Sequence, residues 1–208
     1  MSQLFEIHPT HPQKRLISQA VEILRQGGVV VYPTDSSYAI GCHLGDKEAM
    51  ERIQRIRQLD DKHFFTLVCK DLSEIASYAK VDNTQYRTLR ALTPGAFTFI
   101  LQATNEVPRR LLHPKRRMIG IRVMDNPIVQ ALLEEFGQPI LSSTLILPGK
   151  DMPETDANEI REKLEKQVDL IIDGGHCGLE PTTIINMVEV PPQLIRQGKG
   201  TGHGLEMA

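Results

Sequence analysis

Two kinds of side chain in this sequence are placed to do chemistry: arginines set inside apolar strands, and hydroxyls gathered at strand ends. Arg122 lies within Ile119-Gly120-Ile121-Arg122-Val123, where alternation puts it on the face opposite Ile121 and Val123. Arg196 is placed the same way within Leu194-Ile195-Arg196-Gln197-Gly198. An arginine pointing inward from a strand ordinarily has an anionic partner, from the protein or from a ligand. Hydroxyls recur at Thr34, at Ser142-Ser143-Thr144 and at Thr182-Thr183 behind Pro181. If the sheet curls, these groups converge on a cleft for an anion with several hydrogen-bond acceptors, such as a nucleotide phosphate or a carboxylate.

Charge is the third feature. Arg109, Arg110, Lys115, Arg116, Arg117 and Arg122 share one stretch with no acid between them, in a chain of formal net charge −2. Such a stretch makes a local positive field that attracts phosphates. It equally describes a solvated edge whose charges deter strand pairing. The loop Thr34-Asp35-Ser36-Ser37-Tyr38 carries hydroxyls, a carboxylate and a phenol; it reads either as a binding loop at a sheet end or as an ordinary turn. Asp35 is a general base by position or the cap of that turn, and the sequence names no catalytic residue outright. His8, His11, His63, His113, His176 and His203 are scattered, so no built-in metal site is expected. No glycine-rich dinucleotide loop, Walker loop or nucleophile elbow is present.

The elements that must position these groups alternate along the chain. Leu16, Ala20, Val21 and Leu24 share one face of a helix over Pro12 to Gln26, ended by Gly27-Gly28. Val29 to Val31 is a buried strand stopped at Pro33, resuming as Tyr38-Ala39-Ile40-Gly41. Asp46 caps a helix carrying Ala49, Ile53 and Ile56. A strand over Phe64 to Cys69 precedes a capping-box-like Asp71-Leu72-Ser73-Glu74 and a short helix. A helix over Thr84 to Leu92 leads to strands at Phe97 to Leu101 and Met118 to Val123. Asn126-Pro127 opens another helix, and Ile140 to Thr144 is a strand. A charged helix over Thr155 to Gln167 precedes short strands at Val168 to Ile172, Thr183 to Asn186 and Gln193 to Arg196. Helices interspersed with strands, without repeats or linkers, predict one α/β domain with a mixed sheet over residues 1–198, followed by a mobile glycine-rich tail over 199–208.

The 208-residue length suits one sizeable core. No apolar run reaches membrane-spanning length and the first residues lack a signal peptide, so no membrane partner is expected. Three cysteines, Cys42, Cys69 and Cys177, lie far apart without a Cys-x-x-Cys, which argues against a disulfide framework and for a reducing cytoplasm.

Six short motifs, in order, carry a resemblance. They are Tyr-Pro-Thr-Asp…Tyr-Ala-Ile-Gly-Cys (32–42), Thr-Pro-Gly-Ala-Phe-Thr (93–98), Ile-Gly-Ile-Arg-Val (119–123), Pro-Ile-Leu-Ser-Ser-Thr (139–144), Pro-Thr-Thr-Ile (181–184) and Ile-Arg-Gln-Gly (195–198). With them the chain, from about Gln13 to Gly198, resembles the YrdC-like family of threonylcarbamoyl-AMP synthases, closest to its YciO branch. The resemblance implies a twisted α/β sheet bent around a deep, basic cavity. It also implies handling of ATP or an AMP-type ligand, with Mg²⁺ accompanying the phosphates, and of an L-threonine-derived carbamate on the way to tRNA modification. Thr34, Tyr38, Arg122 and Thr183 would line the threonine side, and Arg57, Ser143, Thr144 and Arg196 the nucleotide side. The family's Lys-x-Arg pair aligns with Arg57-Gln58-Leu59, and its Ser-Ala-Asn with Thr144-Leu145-Ile146, so one charge and one amide are replaced by apolar groups. Each loss is worth about 1–3 kcal/mol of ligand contact. The implied activity is therefore a weak synthase, or a hydrolase, of threonylcarbamoyl-AMP. A further implied role is binding of double-stranded RNA, tRNA or the ribosome through Arg109, Arg110, Lys115, Arg116 and Arg117.

Overall fold

The computed structural model of the chain describes residues 1–60, 63, 65–112 and 115–202. Ten strands among these residues form one mixed sheet: β1 (Gln3–Glu6), β2 (Val30–Tyr32), β3 (Ala39–His43), β4 (Thr66–Val68), β5 (Phe97–Gln102), β6 (Met118–Arg122), β7 (Ile140–Thr144), β8 (Leu170–Asp173), β9 (Thr183–Asn186) and β10 (Gln193–Arg196). Their order across the sheet is β1-β8-β2-β3-β7-β4-β6-β5-β9-β10. Six helices accompany them: α1 (Lys14–Arg25), α2 (Lys47–Arg57), α3 (Leu72–Tyr78), α4 (Asn83–Leu92), α5 (Pro127–Phe136) and α6 (Ala157–Leu164).

Local chemistry sets most helix ends. The Asp46 carboxylate accepts from the Ala49 amide at the start of α2. Asn126 accepts from the Ile128 and Val129 amides, with Pro127 at the first helical position of α5. The reciprocal capping box is at Asp82 and Gln85, opening α4. At Asp71 only half of one forms, because the Glu74 carboxylate turns to the Lys70 amide instead. Strand β1 has no counterpart in the sequence-level reading. Its four residues alternate weakly and exist as a strand only by pairing in parallel with β8. The strand expected from Phe64 is β4; Phe64 itself lies outside the described residues, as do His113 and His203.

The two faces of the sheet are covered unequally. On one face Val31, Ile40, Leu67, Phe99, Ile121, Leu141, Ile171 and Ile185 pack against apolar residues of α2, α3, α4 and α6. On the other, α1 and α5 bury Val30, Tyr32, Ala39, Leu170 and Ile172 at the β1-β8-β2-β3 end, and that cluster stops at Ile140 and Val68. Beyond this line the same row of the sheet changes character. Val68 is paired with Arg122, and Thr98 with Ile184, which is paired with Arg196. The neighbouring row reads Ser142, Thr66, Gly120, Ile100. Here the face belongs to a cavity rather than to the core.

Residues on the two faces of adjacent strands should therefore differ sharply in their share of stability. Ile121→Ala removes a fully buried side chain of the helix-covered face and is expected to lose about 2–5 kcal/mol. Ile184→Ala, in the cavity floor, is expected to lose less than half as much. Urea unfolding with unchanged denaturant slope measures both; equal losses would mean that the second face is packed as a core.

Candidate functional site

The cavity encloses about 340 Å³ and draws side chains from β4, β5, β6, β7, β9 and β10 and from the end of α2. That is within the range of pockets that hold small molecules. Its floor is the pair of strand rows just described, with Gly120 at the centre. A Cβ at Gly120 would meet the Thr66 and Thr98 side chains at 3.4 Å, so any larger group there would fill the floor.

Three arginines reach the cavity from three directions. Arg57, the last residue of α2, donates from Nε to the Ile146 carbonyl (3.0 Å) and from Nη1 to Ser143 Oγ. Arg196 donates from Nε and Nη2 to the Thr182 carbonyl, at 3.0 and 2.8 Å. Both are thus held by neutral oxygens among the described residues. Burial lowers the pKa of each, and for Arg196 the nearby Arg122 charge adds to the effect. No carboxylate is among the described residues that line the cavity. Arg122 is only 6% exposed and pairs with Asp35, whose carboxylate reaches in from the loop after β2 at 2.6 Å. The Arg122 Nε–H is buried with no acceptor among the described residues, the kind of orphan that structural cores avoid.

Asp35 is neither a turn cap nor a free base. One oxygen takes Arg122 and the other accepts the Asp125 amide at 3.0 Å. Thr34 closes the turn instead: its Oγ1 accepts from the Ser36 and Ser37 amides at 3.0 and 3.1 Å and donates to the Ser37 carbonyl.

Of the residues expected on the nucleotide side, Arg57, Ser143, Thr144 and Arg196 all line the cavity. Those expected on the threonine side are dispersed. Arg122 lines the cavity, whereas Thr34 lines an adjoining recess with Asp35, Asn126, Cys177 and Lys199. Tyr38 is fully buried and donates to the Gly175 carbonyl at 2.6 Å. Thr183 is also fully buried, donating to the Gly200 carbonyl and accepting from the Gly198 amide. The domain boundary expected at 198 falls inside a bonded stretch, since the Lys199 amide bonds the Pro181 carbonyl and the Lys199 amine the Asp35 carbonyl. A Cβ at Gly198 would run into the Pro181 and Thr182 carbonyls, so glycine is required for this approach. Residues 203–208 lie outside the described residues.

The basic segment is exposed at Arg109, Arg110, Lys115, Arg116 and Arg117. Two of its guanidinium groups are bonded within the protein, Arg110 inward to the Leu44 carbonyl and Arg117 at the surface to the Asn105 side chain. Thr182, one of the hydroxyls expected at a strand end, lines the cavity too, as do His63, Thr66 and Thr98, which were not among the expected site residues. Alternation against Leu67 and Phe99 would have found Thr66 and Thr98; nothing local marks His63. Its Nε2 lies 3.1 Å from Ser143 Oγ, and its ring packs edge-on against Phe65. Burial first, and the Arg57 charge second, lower its pKa, while Asp60 opposes them. Leu59, aligned with a family charge, packs against the core, and Leu145 is fully buried; Ile146 forms part of the cavity wall. Among the described residues no cluster of His, Cys, Asp or Glu is arranged to hold a metal ion, and no helix is long and apolar enough to cross a membrane.

Comparison with known proteins agrees with this architecture. Residues 22–198 match the family model for Sua5, YciO and YrdC, which carries the description telomere recombination. The chain is 60% identical to the Escherichia coli K12 uncharacterized protein YciO over 200 residues, covering 96% of this chain and 97% of that one. The crystal structure of E. coli YciO superposes with a TM-score of 0.93 at 59% identity, over 97% of this chain and 98% of that one. The threonylcarbamoyl-AMP synthase of Vibrio vulnificus YJ016 is 29% identical over 161 residues, 76% of this chain and 86% of that one. The crystal structure of P. abyssi Sua5 complexed with L-threonine has the same fold, with a TM-score of 0.86 at 24% identity, over 95% of this chain and 58% of that one. The chain belongs to the Sua5/YciO/YrdC family.

Proposed function

We propose that the cavity binds an adenylate together with a threonine-derived carbamate, and acts on the mixed anhydride that joins them, threonylcarbamoyl-AMP, as a weak synthase or as its hydrolase. The observation that carries this reading is the convergence of three guanidinium groups on a cavity with no carboxylate among its described lining residues. Arginines anchored in this way hold phosphate and carboxylate oxygens through charge-assisted hydrogen bonds. Arg57, Ser143, Thr144 and Arg196 take the nucleotide, and Arg122 takes the carboxylate of the threonine moiety. Thr34, Tyr38 and Thr183, whose hydroxyls bond within the protein, serve the threonine side by fixing the loop and the tail around it. The relatives named as synthases and the L-threonine complex of the P. abyssi protein support this choice of ligand. Through that adduct the reading ties the chain to threonylcarbamoyl modification of tRNA.

Leu59 and Ile146 shape the preference within this class. With Leu59 turned to the core, Arg57 is the one charge of its aligned pair left for phosphate. AMP should therefore bind at least as well as ATP. Titration calorimetry with AMP and ATP on the full chain tests this. Arg57→Ala is expected to weaken AMP binding about 10–100-fold, the worth of one charge-assisted contact. Gly120→Val, which fills the cavity floor, is expected to abolish binding while leaving thermal unfolding close to wild type. Arg122→Ala is the less informative variant, because stranding the buried Asp35 carboxylate costs about 3–5 kcal/mol of stability. A wild-type chain that binds neither nucleotide, or a Gly120→Val variant that binds AMP normally, sinks the proposal.

A second reading rests on the exposed basic segment of Arg109, Arg110, Lys115, Arg116 and Arg117. Without aromatic residues to stack on bases, it would engage double-stranded RNA, tRNA or ribosomal RNA through phosphates and shape. Affinity for a duplex RNA is then expected to fall at least tenfold between 50 and 200 mM salt, with no sequence preference, in fluorescence anisotropy titrations. Salt-independent retention would remove this reading.

A further inference from the structure

The cavity has one feature that binding alone does not use. Among the described residues that line it, every ionisable side chain except one is an arginine, and arginine does not take part in proton transfer near neutral pH. The exception is His63. The carboxylate that reaches toward the cavity to pair with Arg122, Asp35, has both oxygens engaged, by Arg122 and by the Asp125 amide. Building on the adenylate reading above, we propose that His63 is the general base of this cavity, drawing a proton from the water that attacks the carbamoyl carbon of bound threonylcarbamoyl-adenylate.

The geometry fits that task. Arg57 Nη1 donates to Ser143 Oγ, and His63 Nε2 lies 3.1 Å from the same oxygen. Ser143 Oγ has no other hydrogen-bond partner among the described residues, so its proton is assigned to the Nε2 lone pair. His63 is then neutral, with its proton on Nδ1. Water donates to Ser143 Oγ as the serine proton passes to Nε2, and the attacking oxygen forms a bond to the carbamoyl carbon. The bond from that carbon to the phosphate oxygen breaks, and its electron pair leaves with AMP. The products are AMP and threonine carbamate, with the water's proton held on His63 until it is lost to solvent. Arg57 stands beside Ser143 Oγ, where it favours negative charge during the transfer.

Among the described residues, the charged groups facing His63 are Arg57 from α2 and Asp60 from the turn before it; Ser143 from β7 and the Phe65 ring also pack around it. Burial and Arg57 hold its pKa below the ordinary histidine value of 6.5. The base form therefore predominates at neutral pH and is lost as pH falls through that lowered pKa.

The test follows AMP release from threonylcarbamoyl-AMP by the full chain between pH 5 and 8, with AMP binding measured in parallel. Wild type is expected to lose turnover along an acid limb with an apparent pKa below 6.5. His63→Gln is expected to bind AMP within about threefold of wild type, to turn over about 10²-fold more slowly or worse, and to lack that limb. Ser143→Ala, in which water can take the hydroxyl's place, is expected to retain more turnover than His63→Gln. Normal turnover or a persisting acid limb in His63→Gln overturns the assignment, as does AMP binding by wild type without any turnover. A covalent adduct on Ser143 overturns it in favour of a serine nucleophile. Failure of wild type to bind AMP is a separate result, which removes the adenylate reading and the assigned base with it.

Discussion

The sheet has ten strands but, among the described residues, α1 and α5 cover only one end of its second face. A helix needs an apolar strip to pack on, and an apolar strip needs a helix; where one stops, so must the other. That happens at Ile140 and Val68, and the next residues in the same rows are Arg122, Thr66, Thr98 and Arg196. A strand face that meets solvent or ligand keeps hydroxyls and charges, whereas the opposite face of the same strands keeps Leu67, Phe99 and Ile121 in the core. The cavity is thus a consequence of how far the helical layer extends, and its walls inherit the rigidity of a sheet that is fully packed behind them.

The Asp35–Arg122 pair stands at that border and joins three segments: the turn after β2, the end of β6 and, through the Asp125 amide, the approach to α5. Both partners are below 10% exposed. A buried ion pair of this sort is poor support for stability in itself, since desolvation offsets much of the attraction. Its value lies in geometry: it fixes where the guanidinium points. Arg57 and Arg196 are fixed differently, by carbonyls and hydroxyls that orient them without cancelling their charge. The cavity therefore combines one neutralised arginine with two oriented ones, an arrangement suited to an anion with more than one charged group.

Departures from the family motifs acquire a physical meaning in this setting. Gln58 adopts a left-handed conformation at the C-terminus of α2, with φ of 54°, and Leu59 turns into the core. Ile146, where the aligned family motif has an amide, stands in the cavity wall. The first replacement exchanges a charge for apolar packing and the second an amide for an apolar wall, so both trade polar reach toward a ligand for apolar surface. On the proposed reading, the three arginines of the cavity hold an adenylate and His63, beside Arg57, accepts the proton.

Much of the framework is legible in the sequence by itself, because it depends on local interactions. The caps at Asp46 and Asn126, the strand at Ile140–Thr144 and the inward placement of Arg122 follow from spacing and from side-chain hydrogen bonds that span two to four residues. Decisions that required distant partners were left to the tertiary structure. Among these are the insertion of β8 between β1 and β2, the union of Asp35 with Arg122 across 87 residues, and the meeting of His63 with Ser143 across 80. So too are the internal bonds that occupy the Thr34, Tyr38 and Thr183 hydroxyls. A side chain's type and period determine which face of a strand or helix it occupies; whether that face meets a helix, a carboxylate or an open cavity depends on how strands far apart in the chain are ordered, and only the folded sheet specifies that.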